Sequence, residues 1–363
     1  MKNFQESDWN NIPNWEEDDL LQFWDMFLRN CHCIIDHEST NSINNYVKST
    51  EWKKICSIAN SCNAELSNSS NKIKKFLKKY LQPWVFADMA GNQTIGLLTG
   101  YYEPLLRGSR YKHDSYKWPI IGIPDDLLNI DLSSIYPELK GKIIRGRISE
   151  GKVVPYYSRS EIILKEEYFP VIAWTDDLID NYFLGIQGSG RLVLMDEDNL
   201  GEIIRLSFAG HNGHQYISIS DWLVKEEALE RDKISVSFLK NWAEQNPEKI
   251  TKLLNTNPSF VFFSEGNNPK SEIGPRGACG IELKAMRSVA VDSTFIPLCM
   301  PMFISFNLPD YSLFQHFVFA QDTGSAIRGP GRLDLFIGSS LDSGLIAGKL
   351  KQICKMWILL PKV

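Results

Sequence analysis

Three aspartates in the last quarter of the chain are the residues best suited to chemistry. Asp292 ends the apolar run SVAVD, Asp322 ends FVFAQD, and Asp334 interrupts RLDLF. Short runs rich in β-branched and aromatic residues predict buried strands. A carboxylate in such a strand either anchors neighbouring backbone or acts as an acid or base in a cleft of low dielectric constant. These acids are therefore the first candidates for a catalytic group.

Asp334 has the sequence context of a general acid. The alternation in RLDLFIG places Leu333, Leu335 and Ile337 on one face of a strand. It places Asp334 on the other face, beside Phe336. Apolar flanking removes water from a carboxyl group and raises its pKa, as a general acid at neutral pH requires.

The other two aspartates have different settings. Asp322 opens the sequence Asp-Thr-Gly at a strand end, where its side chain can cap the following turn. We interpret Asp322 as a neighbour that orients or electrostatically tunes Asp334, with a purely structural turn role as the alternative. Asp292 precedes Ser-Thr and is predicted to be structural.

Four short blocks mix glycine or serine with polar and aromatic residues, a texture typical of binding surfaces. They are TGYYEP at 99–104, YYSRSEI at 156–162, FLGIQGSGRLVL at 183–194 and AGHNGHQYISI at 209–219. The candidate substrate-binding residues are Tyr101, Tyr102, Glu103, Gln187, Gly188, Ser189 and Arg191. For the two tyrosines, the alternative is a half-buried place in a strand. His211 and Asn212 are weaker candidates, for which the alternative is a simple turn.

Other kinds of site are disfavoured. Strand character resumes after Gly188-Ser189-Gly190 and no helix is predicted to open there, which argues against a phosphate loop. Ser189 lacks the nucleophile elbow and paired histidine of a serine enzyme. Cys31-His32-Cys33 has no second ligand pair at structural-zinc spacing, so we predict no metal and no other cofactor.

Composition excludes several classes of partner. A formal net charge of -5 and a pI near 5.8 argue against nucleic acid, because phosphate binding needs a basic surface. The lysine-rich run at 72–80 fits a helix with a solvated face. No apolar stretch reaches the ~18 residues of a transmembrane span. The start, MKNFQESDWNNIPNW, shows neither a signal sequence nor a lipidated cysteine.

The seven cysteines show no disulfide-framework spacing, and we predict reduced or incidental thiols.

Apolar spacing predicts helices at 18–33, 44–62, 72–81, 236–244 and 247–254. Strands are predicted at 96–102, 142–147, 182–187, 190–195, 203–208, 260–263, 289–292, 302–306, 317–322, 333–337 and 355–360. A loop rich in Gly, Pro and Asn at 266–280 separates two regions, and 363 residues suggest two domains or one with a large insertion.

Taken in order, the motifs resemble one family, the membrane-bound lytic murein transglycosylase A family. The similarity is carried by TGYYEP, PYYSRSEI, IQGSGR, FAGHNG, NPSFVFF, GPRGACGIEL, RSVAVDSTFIPL and FAQDTGSAIRGPGRLDLFIGSS. It extends from about residue 96 to the C-terminus. Within GSAI, Ser325 stands where the family usually has a second glycine, which could stiffen the turn before Asp334.

The resemblance implies a mainly β fold with a helical N-terminal region. A double-psi β-barrel domain would carry an inserted second β-barrel-like domain, with the substrate groove between them. The expected segments are 1–105 for the N-terminal helices and the first part of the barrel, 106–245 for the insert, and 246–363 for the remainder of the barrel. The last segment would be the module named for its three aspartates, Asp292, Asp322 and Asp334.

The family cleaves the MurNAc-β-1,4-GlcNAc bond of peptidoglycan without water and leaves 1,6-anhydro-MurNAc ends. By similarity, Asp334 is the single acid and then the base, and the glycan strand is the partner. A periplasmic or outer-membrane location is implied, although no export signal is visible. Two alternatives stay open at this point: a hydrolase on the same barrel that uses Asp322 or another acid as second carboxylate, and a non-catalytic glycan-binding module.

Overall fold

The structure is a computed structural model that describes residues 4–36, 49–87, 93–113, 115–139, 144–266, 274–324, 326–340 and 342–362. Its α-helices are α1 (Leu20–Asp36), α2 (Ser49–Leu66), α3 (Ser70–Tyr80), α4 (Arg159–Leu164), α5 (Leu178–Gln187), α6 (Ile219–Glu226), α7 (Val236–Gln245), α8 (Ile250–Asn255) and α9 (Ser343–Lys349). Its strands are β1 (Phe4–Glu6), β2 (Leu81–Phe86), β3 (Gly96–Tyr101), β4 (Leu105–Ser109), β5 (Trp118–Ile121), β6 (Leu128–Ile130), β7 (Ile144–Ser149), β8 (Lys152–Pro155), β9 (Val171–Thr175), β10 (Gly190–Leu194), β11 (Ile203–His211), β12 (Val261–Gly266), β13 (Ser288–Val291), β14 (Pro301–Asn307), β15 (Leu313–Asp322), β16 (Arg332–Phe336) and β17 (Lys351–Pro361).

The chain divides into two compact units. Unit 1 contains Met1–Tyr102 and Glu272–Val363, and unit 2 contains Glu103–Ser271. The segment predicted for the insert, 106–245, ends before α8 and β12, which this division places in unit 2. β12 belongs to unit 2 because it pairs with β11, and α7 and α8 belong there because they bury Leu239 and Leu253 against α5 and α6.

Unit 1 is a closed barrel. Its sheet runs in the order β17-β14-β15-β13-β16-β3, and β3 pairs again with β17, so that the described strands close a ring of six. Within this ring, β13 pairs parallel with β15 and β16 pairs parallel with β3. β17 completes the closure because its first residues pair with β3 and its later ones with β14 and β2.

The N-terminal helices cover one side of this barrel. Phe23 of α1 lies 4.7 Å from the ring of Phe317 and 5.3 Å from that of Phe319. Just before α1, the buried carboxylate of Asp18 accepts hydrogen bonds of 2.7 and 2.8 Å from Arg287. Although burial acts to raise it, the pKa of Asp18 is lowered by His316 and Arg287, which favours the charged, paired carboxylate. Aromatic packing and a buried salt bridge thus attach α1 to the barrel.

The cysteine prediction is wrong for two residues. Cys31 of α1 and Cys56 of α2 form a disulfide, with Cα atoms 5.1 Å apart. The two helices pack against a shared core, which brings together thiols that sequence spacing does not relate. Cys31 is therefore occupied by a covalent partner.

In unit 2 a second sheet runs in the order β12-β11-β10-β4-β9-β5. A bridge between Gly122 and Phe263 links its two outer strands, so the sheet is nearly closed. A separate three-stranded sheet contains β6, β7 and β8.

The predicted strand at 182–187 is wrong, because these residues form the end of α5. Asp177 caps this helix by accepting from the backbone N–H groups of Ile179 and Asp180, and Gly188 ends it in the left-handed region.

The other predicted elements agree with the structure to within a few residues where it describes them. The lysine-rich run forms α3, which buries Ile73, Phe76 and Leu77 and points its lysines outward. Residues 44–48, 142–143 and 267–273 of the predicted helix, strand and loop lie outside the described residues, as does Ser325. No helix within the described ranges combines the length and apolar character needed to cross a membrane.

Candidate active site

Asp334 lies in the middle of β16, between two hydrogen-bonded neighbours. On the antiparallel side it is opposite Ala290 of β13, and on the parallel side it is opposite Thr99 of β3. The hydroxyl of Thr99 donates a 2.6 Å hydrogen bond to Oδ1 of Asp334. Because β3 and β16 belong to the barrel wall, this carboxyl group is attached to a rigid element.

The environment of Asp334 suits a general acid. Its side chain is half-buried, and the adjacent Phe336 packs against Tyr101 with ring centroids 5.3 Å apart. Loss of hydration is the largest influence and raises the pKa of Asp334 to about 6, against the opposing effects of Thr99 and Arg332. The charge of Asp322 adds to the increase. A carboxyl group with this pKa can both give and take a proton near neutral pH.

Asp322 ends β15 and is held by three donors. Its Oδ2 accepts from the hydroxyl of Tyr101 at 3.0 Å. Its Oδ1 accepts from the backbone N–H groups of Ala278, at 3.0 Å, and Thr323, at 2.9 Å. Burial nevertheless raises its pKa. The bond from Thr323 fits the turn alternative, and the charge of Asp322 raises the pKa of Asp334. The role of Asp322 in catalysis stays a prediction.

Asp292, the first of the three acids, anchors backbone. Its Oδ1 accepts from the N–H and the hydroxyl of Thr294, at 3.0 and 2.7 Å. Its Oδ2 accepts from the N–H of Gly329 at 2.7 Å. Although burial acts to raise it, the pKa of Asp292 is lowered by these donors. Asp292 thus holds Gly329, in the segment that leads from Asp322 to Asp334, and its structural role stays a prediction.

The two tyrosines of TGYYEP differ in their contacts. Tyr101 donates to Asp322, and burial raises its pKa well above the usual value, which keeps the hydroxyl a donor. The ring of Tyr102 lies against α9 at Gly344, where an added Cβ would come within 3.0 Å of the ring. Both side chains are half-buried. Their contact with substrate stays a prediction.

Glu103 and Arg191 lie in a buried ion cluster of unit 2. Glu103 Oε1 is 2.9 Å from Nε of Arg205, and Glu103 Oε2 is 3.3 Å from Nε of Arg191. The side chains of Glu103, Arg191 and Arg205 are 0%, 8% and 7% exposed. Arg191 and Arg205 are directly paired across β10 and β11, where their like charges would repel without Glu103. The geometry favours a positioning role for this cluster, and direct substrate binding by Glu103 or Arg191 stays a prediction.

The remaining predicted residues of unit 2 lie at two turns. Gln187, Gly188 and Ser189 follow one another at the end of α5 and are half-exposed, with Gly188 at φ 78°. Asn212 is buried and donates to the carbonyl oxygens of residues 157 and 258, at 2.9 and 2.8 Å. His211 accepts from the N–H two residues later, at 3.0 Å. These last contacts fit the turn alternative for His211 and Asn212.

Three contributors to the site were not predicted from the sequence: Thr99, Arg332 and the backbone N–H of Ala278. Arg332 could have been found, because residues two apart on a strand share a face and Asp334 had been singled out. Thr99 and Ala278 could not, because their proximity depends on which strands and loops are neighbours. No group of three or more His, Cys, Asp or Glu side chains in the described part of the chain is arranged to hold a metal ion.

Comparison with known proteins agrees with this architecture. Residues 97–264 match the family model described as the MltA specific insert domain, and residues 287–360 match the 3D domain. The closed barrel of unit 1 and the nearly closed sheet of unit 2 agree with the double-psi β-barrel and inserted barrel that the family resemblance implied. The first model spans nearly all of unit 2, and the second spans most of the C-terminal segment of unit 1.

Relatives and solved structures that align with most of this chain extend the match. A lytic transglycosylase, LtgG, of Burkholderia pseudomallei is 31% identical, with 100% of this chain and 96% of that chain covered and a TM-score of 0.60. A membrane-bound lytic murein transglycosylase from Agrobacterium tumefaciens is 26% identical, with 99% and 97% covered and a TM-score of 0.81. The membrane-bound lytic murein transglycosylase A of Vibrio cholerae is 28% identical over 80% of this chain and 77% of its own length. The chain belongs to the MltA family of lytic murein transglycosylases.

Proposed function

We propose that this chain is a peptidoglycan lytic transglycosylase in which Asp334 is the catalytic residue. It cleaves the MurNAc-β-1,4-GlcNAc bond and leaves a 1,6-anhydro-MurNAc end. The observation that carries the assignment is the half-buried carboxyl group of Asp334, with a pKa raised to about 6 by loss of hydration. The proposal is supported by relatives named as murein transglycosylases.

One carboxyl group is sufficient for this reaction. In the first step, neutral Asp334 transfers its proton to the glycosidic oxygen as the bond from that oxygen to C1 of the muramoyl residue breaks. In the second step, the resulting carboxylate takes the proton from the muramoyl C6 hydroxyl as that oxygen forms a bond with C1. The GlcNAc residue leaves with a free 4-hydroxyl, Asp334 is again neutral, and water is not consumed.

Asp322 is better placed as a supporting residue than as a second catalytic carboxylate. A hydrolase needs a carboxylate that can approach water or C1. Both oxygens of Asp322 are already engaged, by Tyr101 on one side and by two backbone N–H groups on the other. We assign Asp322 the role of holding Tyr101 and raising the pKa of Asp334 by its charge.

The substrate is the glycan strand of peptidoglycan, and Tyr101, Tyr102, Gln187, Gly188 and Ser189 are the proposed contacts, with Glu103 and Arg191 supporting from beneath the surface. We further propose action in the periplasm or at the face of the outer membrane, because the relatives are named as membrane-bound.

Mass spectrometry of digested peptidoglycan tests the proposal. Purified sacculi are incubated with the wild-type chain, with Asp334→Asn, and with Asp310→Asn as a control at an exposed turn of unit 1. We expect anhydro-muropeptides from the wild type and the control alone. Reducing-end products would instead indicate the hydrolase, and binding without any product would indicate the glycan-binding module. Anhydro products from Asp334→Asn would move the catalytic role to another acid, with Asp322 tested next.

A further inference from the structure

Arg332, Thr99 and Asp334 form a continuous hydrogen-bonded chain. Arg332 lies two residues before Asp334 on β16, so both side chains project from the same face of the strand. The terminal Nη2 of Arg332 donates to the hydroxyl oxygen of Thr99 at 2.8 Å. The same hydroxyl donates to Oδ1 of Asp334 at 2.6 Å.

The chemistry of these groups gives the chain one direction. A guanidinium only donates hydrogen bonds and stays charged, whereas a threonine hydroxyl has one hydrogen to donate and lone pairs to accept. With a lone pair of Thr99 directed at Arg332, its single hydrogen is free to point at Asp334. While Thr99 donates its hydrogen to Oδ1, that oxygen of Asp334 is an acceptor. A neutral Asp334 then has its proton on the other oxygen, Oδ2.

We propose that Arg332 acts through Thr99 as a positioning device that places the catalytic proton of Asp334 on Oδ2. Thr99 and Arg332 are positioning residues in this inference, which rests on the proposed function of Asp334. Without the chain, the proton can occupy either oxygen and the carboxyl group can rotate. A fraction of the neutral enzyme then presents the wrong oxygen to the glycosidic bond.

The other groups around Asp334 do not duplicate this arrangement. Among the described residues, the charged or titratable side chains that influence Asp334 are Arg332, Asp322 and Tyr101. Tyr101 directs its hydroxyl to Asp322. On the remaining neighbour, β13, the paired residue is Ala290, which has no polar side chain. Selection of one oxygen therefore depends on Thr99.

The test compares kcat, KM and the pH profile of anhydro-product formation from soluble glycan strands. Thr99→Val keeps the shape of the side chain and removes the hydroxyl, Thr99→Ser restores it, and Arg332→Met removes the donor to the hydroxyl. For Thr99→Val we expect kcat to fall about tenfold, with KM changed less than about twofold. The falling limb should move up by about one pH unit, since a hydrogen bond to the carboxylate is lost. Thr99→Ser should recover both.

The role of Arg332 is tested by combining Arg332→Met with Thr99→Val. If Arg332 acts through Thr99, adding Arg332→Met to Thr99→Val should change kcat less than about twofold, although Arg332→Met alone lowers it severalfold. Arg328→Met, which removes an exposed positive charge from the segment between Asp322 and Asp334, is the matched control and should leave the pH profile unmoved.

Three results would overturn the inference. The first is a falling limb of the pH profile that does not move in Thr99→Val. The second is an effect of Arg332→Met on kcat that is as large in the double variant as in the single variant. The third is a rise in KM that accounts for all of the activity lost in Arg332→Met. Circular dichroism of each variant separates loss of folding from loss of activity. If wild type makes anhydro ends and Asp334→Asn does not, any of these results rejects the positioning chain and leaves the proposed function in place.

Discussion

Replacement of Asp334 by asparagine should abolish activity and also stabilise the protein at neutral pH. In the folded chain the pKa of Asp334 rises from its usual 3.8 to about 6. The charged form is therefore less favourable in the folded state than in the unfolded state, by about 3 kcal/mol at 1.36 kcal/mol per pH unit. Because the side chain is half-buried and partly screened by solvent, we expect about 1–3 kcal/mol.

The sign of the stability difference, and the pH range in which it appears, follow from the difference in proton binding between the folded and unfolded states. Below about pH 4 the carboxyl group is neutral in both states, and its ionisation has no cost. As pH rises through about 6, the folded protein must hold a poorly hydrated charge, and stability is lost relative to Asp334→Asn. Urea unfolding at pH 4 and pH 8 should give similar midpoints for the two proteins at pH 4. At pH 8 the variant should have the higher midpoint.

Asp292→Asn is the control of opposite sign. Its carboxylate is stabilised by donors from Thr294 and Gly329, and its pKa is lowered. The same substitution should therefore destabilise the protein at pH 8. A lower midpoint for Asp334→Asn at pH 8, or an equal gain at both pH values, would refute the argument that the site holds its acid at a cost in stability.

The remaining predictions concern the neighbouring acid, the ion cluster and the disulfide. For the wild type, kcat/KM should fall about tenfold per pH unit above about pH 6, the pKa of Asp334. Asp322→Asn should move this falling limb of the pH profile down by about half to one pH unit, because a like charge is removed. Glu103→Gln should destabilise unit 2 by about 3–5 kcal/mol in urea unfolding, since two buried arginines lose their counter-charge. Thiol titration of the unfolded, unreduced chain should find five free cysteines, and reduction of the Cys31–Cys56 bond should lower stability by about 3 kcal/mol.

Each of these three sets of predictions can be contradicted by a specific result. An upward shift of the falling limb of the pH profile in Asp322→Asn would mean that the structural contacts of Asp322 affect the pKa of Asp334 more than its charge does. A loss below about 1 kcal/mol in Glu103→Gln would show that solvent reaches the two arginines, and Glu265→Gln at the more exposed pair with Arg110 is the matched control. Seven titratable thiols before reduction would rule out the disulfide.

The strand-forming runs and the three aspartates were readable from the sequence because both are local. Period-two alternation alone placed Asp334 opposite its apolar neighbours, and the structure has Leu333 and Leu335 buried at 0% exposure. The strand predicted at 182–187 is the second half of α5, because its apolar residues form a short run that fits either element. Its cap residues, Asp177 and Gly188, carried the missing signal.

Sequence by itself determined the catalytic candidate, the barrel strands and the family, since these depend on residue types and their order along the chain. Only the tertiary structure decided the partners. Thr99 and Asp334 are 235 residues apart in the sequence and meet because β3 and β16 pair in parallel within unit 1. Cys31 and Cys56 meet through helix packing, and Glu103 is paired by arginines from two further strands. Local patterns specify which face a side chain takes on its own strand, whereas the strand order specifies what it faces, and strand order is set by packing of the whole barrel.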